Sequence, residues 1–383
     1  IRSKQSRSVY MPTADVQSTA TRGANNVSQT TASGVVINRD NAGFTNMNAA
    51  AVLQWTLFDG FRMYAVDDQF ALMAQSERER ARGQFAMVIS DVMTKYAAAV
   101  VAHHQVRDLQ SALALAEKRF AIVQRRNDVG SASGTQLSQA TIDKNTVMSM
   151  LHRAETNLAN AKTALRTTMA IADTTPIGVD TVLTTPTLLS LHALLDSLAK
   201  RSPDVVSAEL AVDAAKARER ELNAAFWPRI DLTGGYQYTN NTTEAGFILD
   251  NRTTGWNAGL TLRYNLFRGQ ADQAASELAQ VETQRREILV REALREQRSR
   301  LEQAFERYRQ GTGMIATELS SLQAAQRNAA AALVSYEEGL IADVEARQSQ
   351  QTVLDIALRI AQIEFDIFVS AVEALRISGT LVW

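Results

Sequence analysis

Leu57-Phe58-Asp59-Gly60 and Leu266-Phe267-Arg268-Gly269 decide the reading of this chain. Each closes a segment that alternates apolar and polar residues, and each opens a long run without proline. A glycine turn follows both at one distance: Gly130 lies 72 residues after Phe58 (130 − 58), and Gly339 lies 72 after Phe267 (339 − 267). The 383-residue chain is therefore one unit written twice, at an offset of 209 (267 − 58). Duplication on this scale fixes the architecture before any weaker signal is weighed.

Upstream of the two tetrapeptides the period is two. Met47, Ala49, Ala51, Leu53, Trp55 and Leu57 match Trp256, Ala258, Leu260, Leu262, Tyr264 and Leu266 at the same offset, with Gln54, Thr56, Asn257, Thr261, Arg263 and Asn265 between them. Such alternation predicts strands, at about 47–58 and 255–267. Their partners are about 9–22, after Pro12, and 229–239, after Pro228, where Ile230, Leu232, Gly234, Tyr236 and Tyr238 alternate. The aromatics Trp55, Trp256, Tyr264, Tyr236 and Tyr238 fit a membrane-interface girdle. The Asn-, Thr- and Gly-rich links, about 23–43 and 240–254, read as exposed loops.

Downstream the pattern becomes helical. Phe61 to Val129 holds one glycine, Gly83, and no proline, and these residues span ~100 Å as a helix. Shorter return limbs follow the glycine turns, so helical hairpins are expected at about 61–171 and 269–378. Helices this long need a partner along most of their length. Ala97-Ala98-Ala99 permits close approach, and the charged run Arg285–Arg309 reads as a solvated face of i,i+4 pairs. A third helix, Leu188–Ala225, breaks at Ser202-Pro203 and stops at Trp227-Pro228. The domains are then a first repeat at 1–171, a linker at 172–200 and a second repeat at 201–383. Aligning Tyr10-Met11-Pro12 with Phe226-Trp227-Pro228 puts Ile1 opposite Ala217, inside a helix. A helix of about 30 residues, and any signal peptide or lipidated cysteine, is thus expected before Ile1.

Composition narrows the function classes. A formal net charge of −1 offers no attraction to nucleic acid. There is no cysteine, hence no disulfide or thiolate site. No run of about 18 apolar residues is expected. Adjacent His103-His104 point apart on a helix and, like His152 and His192, read as surface residues. Asp67-Asp68 suits a helix start, and no nucleophile elbow or phosphate loop occurs. Neither an enzyme nor a cofactor is expected. Four amphipathic strands cannot close a barrel alone, and open edges in lipid are costly. Two copies would supply eight strands and three would supply twelve. Alternation by itself leaves open whether the sheet lies in lipid or folds in water.

The paired tetrapeptides, the Pro12 and Pro228 strand starts, the tips Asp128-Val129-Gly130-Ser131 and Tyr336-Glu337-Glu338-Gly339, and the limb endings Ala164-Leu165-Arg166 and Ala374-Leu375-Arg376 resemble the TolC-type outer-membrane efflux proteins. The resemblance covers essentially the whole chain. It implies a mainly α fold with a membrane β part: a homotrimer whose 12-stranded β-barrel continues into a 12-helix periplasmic α-barrel, belted by Asp173–Lys200. It also implies a passive exit duct in the bacterial outer membrane, contacting outer-membrane lipid. Such ducts serve a periplasmic adaptor (membrane fusion) protein and an inner-membrane pump of the RND, ABC or MFS class, and export drugs, metals or polypeptides. The tip turns Gly130, Ser131, Gly339 and Leu340 become docking candidates. Tyr336, Asp343, Glu345, Gln348 and Gln136 become pore-constriction candidates, with Gln348 standing where some members carry aspartate. The same acids could simply complement a helix N-terminus, and Tyr336 could be a packed aromatic. The competing reading is a coiled-coil adaptor or scaffold in the periplasm without channel activity.

Overall fold

The computed structural model describes residues 10–172, 175, 177–180 and 182–381. Ile1, the expected strand start at residue 9, and Asp173 lie outside that set. The elements are β1 (Thr13–Thr30), β2 (Val36–Phe58), α1 (Arg62–Asp128), α2 (Gly134–Met169), α3 (Leu191–Arg201), α4 (Pro203–Asn223), β3 (Arg229–Thr243), β4 (Asp250–Arg263), α5 (Ala271–Glu337) and α6 (Asp343–Ile377). α1 and α5 each have 67 residues and start 209 positions apart (271 − 62), so the duplication is structural. The chain divides into two compact units, Ile1–Arg78 with Ser207–Val290, and Glu79–Val206 with Arg291–Trp383.

The first unit holds one antiparallel sheet in the order β1-β2-β3-β4, leaving β1 and β4 as edges. Its register sets Val16 beside Ala51, Ala51 beside Tyr236 and Tyr236 beside Trp256, and likewise aligns Trp55, Leu232 and Leu260. One face is thus apolar and the other carries Gln17, Gln54, Thr56, Asp231, Thr233 and Thr261. A bulge between Thr56 and Phe58 makes Leu57 the extra residue and places Phe58 opposite Ile230. Leu57 therefore leaves the alternating set in which its sequence placed it. On the polar face Asp231 is buried. Thr56 Oγ1 donates to it at 2.8 Å, and Arg229 Nε lies 2.8 Å from its Oδ2.

Two expectations need correction here. The segments about 23–43 and 240–254 are not loops: β1 runs to Thr30, β2 starts at Val36, β3 runs to Thr243 and β4 starts at Asp250. Asn and Thr are neutral to both faces of a ladder that has no apolar side, and backbone pairing holds the strands together there. Conversely, β4 stops at Arg263, so Tyr264, Leu266 and Phe267 form an exposed connection.

At the corner into α1, Gly60 has φ +69° and Phe61 φ +67°; Gly269 and Gln270 repeat this at +60° and +65°. A Cβ on Gly60 would lie 2.6 Å from Trp227 Cβ and 2.7 Å from the Ala224 carbonyl, whereas one on Gly269 would meet open space. Gly60→Ala is accordingly expected to cost about 3 kcal/mol, strain plus overpacking, and Gly269→Ala about 1 kcal/mol. Thermal unfolding of the two variants side by side measures the difference.

The second unit is helical. α3, α4, α5 and α6 meet at Leu194, Leu198, Val205, Leu301, Ala304, Ala374 and Ile377. A second cluster, Val106, Leu109, Leu151, Ala154 and Leu354, joins α1, α2 and α6. The linker is strapped to α1 by Tyr96, whose hydroxyl donates to Asp180 at 2.8 Å. One stretch of α1 is, by length and composition, apolar enough to cross a membrane, contrary to the expectation of none. Its fully buried Ala97 and Ala99 belong to helix packing.

Candidate functional site

The tips of the two helical hairpins lie in the second unit. α1 ends where Gly130 (φ +76°) donates its N–H to Asn127 and Ser131 donates to Arg126; α5 ends where Gly339 (φ +79°) donates to Tyr336 and Leu340 donates to Ser335. Both are Schellman turns, which need a left-handed residue at the glycine. Val129 is 79% exposed and Leu340 72%, so each turn presents an uncovered aliphatic side chain. Gly130, Ser131 and Gly339 are exposed as well.

The helices that restart are begun differently. Ser133 caps α2, and its own N–H donates to Gln136 Oε1 at 2.8 Å, a capping box. Gln136 is thereby engaged at the start of α2. The N-cap of α6, Ala342, has no side-chain oxygen, and Asp343 and Glu345 occupy the first turn. Glu345 and Gln348 are exposed on α6.

Below the turns, Tyr336 is 4% exposed and packs with Ile122, Val123, Ala140 and Ala346. Burial first, then the negative charge of Asp343, raises its phenol above the usual value. Arg126 lies over the ring at 4.9 Å, and its Nη2 donates to the carbonyls of Tyr336 (2.8 Å) and Glu337 (3.1 Å). α5 has no basic residue in its last turn. Arg126 of α1 supplies the cation that its C-terminal dipole favours.

One turn pair deeper sits Arg119, 2% exposed. It pairs with Asp143 of α2 and lies 3.5 Å from Asp343 Oδ1 of α6. Gln139 donates to Asp143 at 2.8 Å, and Arg347 Nη1 stands 3.8 Å from it. Asp343 is thus held against Arg119, with its side chain only 12% exposed. The geometry brings Tyr336 and Asp343 together and leaves Glu345 and Gln348 apart from them, outward on α6.

Sequence reasoning missed Arg119, Arg126 and Asp143. A signal existed: Leu109, Ala112, Ala116, Arg119, Val123 and Arg126 recur at steps of three and four. Two arginines therefore occupy the buried stripe of α1. None of the three is repeated at offset 209, where Asn328, Ser335 and Thr352 stand.

The fold is thus one sheet with one apolar face and two edge strands, joined twice to a long helical hairpin. A family model described as outer membrane efflux protein matches residues 2–170 and 194–376, and the chain belongs to that family. It is 25% identical over 296 residues to the probable outer membrane lipoprotein SilC of Salmonella typhimurium, covering 73% of this chain and 62% of SilC. It is 25% identical over 305 residues to the cation efflux system protein CusC of Escherichia coli K12, covering 74% and 65%. The chain thus spans a little under two thirds of the length of these relatives. The solved structure of CusC superposes with a TM-score of 0.83 at 18% identity, covering 99% of this chain and 85% of that one. The outer membrane protein VceC of Vibrio cholerae gives 0.81 at 15%, covering 99% and 89%. These establish a shared fold.

Proposed function

We propose that three copies of this chain form an outer-membrane exit duct that opens at the hairpin tips. The observation that carries this reading is the four-stranded sheet whose β1 and β4 edges are unpaired. Edge N–H and C=O groups cannot stay unsatisfied in lipid, and β4 of one copy is complementary to β1 of the next. Twelve strands close, with the Gln and Thr face inward and the Trp256 and Tyr236 face toward lipid. The family supports the outer membrane as the place and the periplasm as the side on which the helices stand.

The exposed Val129 and Leu340 at the tip turns suit docking of a periplasmic adaptor, which would link the duct to an inner-membrane pump of the RND, ABC or MFS class. Arg119 and Arg126 join the first hairpin to the second, and opening requires those contacts to release. Relatives named for cation efflux favour small cargo such as metal ions; drugs and polypeptides are the other classes open to it.

Glu345 and Gln348 form the constriction in this reading, repeated three times around an axis. Acidic rings attract cations and repel anions. In planar bilayers, Gln348→Asp is expected to raise cation over anion permeability about threefold, and Glu345→Ala to lower it. Asp343→Ala acts differently, by removing one of the two carboxylates beside Arg119, and is expected to change open probability more than ion preference. A soluble monomer that never conducts would favour the adaptor or scaffold reading.

A further inference from the structure

We propose that the corner between sheet and helices in the first unit binds a phospholipid whose headgroup carries both a phosphate and a primary ammonium, as phosphatidylethanolamine does. The proposal rests on the reading that the strands lie in the outer membrane. A cleft of about 300 Å³ there is lined by Phe61, Tyr64, Asp68, Arg220, Ala224 and Trp227, among others. Trp227 also walls a neighbouring cleft with Leu262 and Tyr264. Leu262 stands opposite Ile230, on the apolar face of the sheet. The cleft therefore begins where the apolar face ends, at the depth of lipid headgroups.

Its walls suit that depth. Phe61, Tyr64 and Trp227 are 60%, 57% and 57% exposed. Large rings left uncovered beside polar groups favour a membrane interface. The polar groups are one cation and one anion: Arg220 Nη2 lies 2.9 Å from Asp68 Oδ2, with side chains 61% and 58% exposed. An exposed pair contributes little, so parting it to admit a second pair of charges costs little. The guanidinium fork matches phosphate oxygens, and the carboxylate accepts N–H bonds from an ammonium. Phosphatidylglycerol offers no cation to Asp68, and phosphatidylcholine offers no N–H. At offset 209 the corresponding residues are Gln270, Gln273 and Glu277, so the aromatic walls occur at one corner of the repeat.

Two single-tryptophan forms of the full chain test this in vesicles containing bromine-labelled lipids, one keeping Trp227 and one keeping Trp256. Trp227 is expected to bind, and be quenched by, brominated phosphatidylethanolamine about fivefold more tightly than brominated phosphatidylcholine or phosphatidylglycerol. Trp256, on the strand, should be quenched equally by all three. Asp68→Asn should erase the preference over phosphatidylcholine, and Arg220→Gln should weaken quenching of Trp227 by every phospholipid. Equal quenching of Trp227 by the three lipids, or a preference that survives Asp68→Asn, overturns the site while the membrane reading stands. No quenching of Trp256 by any lipid overturns both.

Discussion

Arg119→Met is expected to lower the stability of the helical unit by about 3–5 kcal/mol and to loosen the hairpin tips. Arg119 is 2% exposed and lies against two carboxylates, Asp143 of α2 and Asp343 of α6. Removing the cation leaves two largely buried acids, with Arg347, 3.8 Å from Asp143, as the remaining cation beside that carboxylate, and desolvation makes the charge left over expensive. The loss should come from charge and not from volume, because methionine fills most of the vacated space. The triple variant Arg119→Met with Asp143→Asn and Asp343→Asn should recover most of the stability. Thermal unfolding in detergent reads the first effect, and mean single-channel conductance reads the second, with a rise expected in the single variant. An Arg119→Met protein with unchanged melting and conductance would mean that the pair is no clasp.

Leu301→Ala is expected to cost about 3–5 kcal/mol, the range for a leucine removed from a site that cannot collapse. Leu301 is fully buried among Leu194, Leu198, Val205, Ala374 and Ile377, where α3, α4, α5 and α6 converge. Its neighbours on α5 give a control. Arg300 pairs with Glu296 one turn back, both about half exposed, and Arg300→Ala should shift stability by less than about 0.5 kcal/mol. Denaturant titration of the two variants checks the contrast. The same helix carries Glu282 and Glu306, held down to about 2 by hydrogen bonds from Arg285 and Arg309 respectively. The side chains of these pairs are 40–66% exposed, as a charged outer face requires.

The run Arg285–Arg309 illustrates what the sequence could and could not reveal. Its i,i+4 pairs, such as Arg298–Glu302, occur as expected, and i,i+3 pairs such as Arg309–Glu306 stand beside them. Leu301 and Ala304 lie within the same charged run and are fully buried, so a segment read as a solvated face is one only on its outer side. The duplication, both hairpins and the strand-to-helix corners were legible because each rests on local geometry: a period of two, a period near 3.6, and glycine where φ turns positive. Strand ends were not legible, since backbone hydrogen bonds extend β1 and β2 through a segment whose side chains take no side. The bulge at Leu57 was equally hidden, for it depends on the partner strand. At the tip, Gly130 and Gly339 could be placed from the repeat. The grip of Arg119 on Asp143 and Asp343 could not, because it ties the first hairpin to α6, with Asp343 lying 224 residues after Arg119 (343 − 119), and has no copy in the other half.

In the proposed duct three copies close one barrel through β1 and β4. Cysteine is absent from the chain, so one cysteine on each of those edges, for example at Ser18 and at Thr253, can be scanned over neighbouring positions without background. Oxidative cross-linking in membranes should yield, at the matching register, a covalent product that stops at three chains. Products that stop at one or two chains, or that extend without limit, would contradict it.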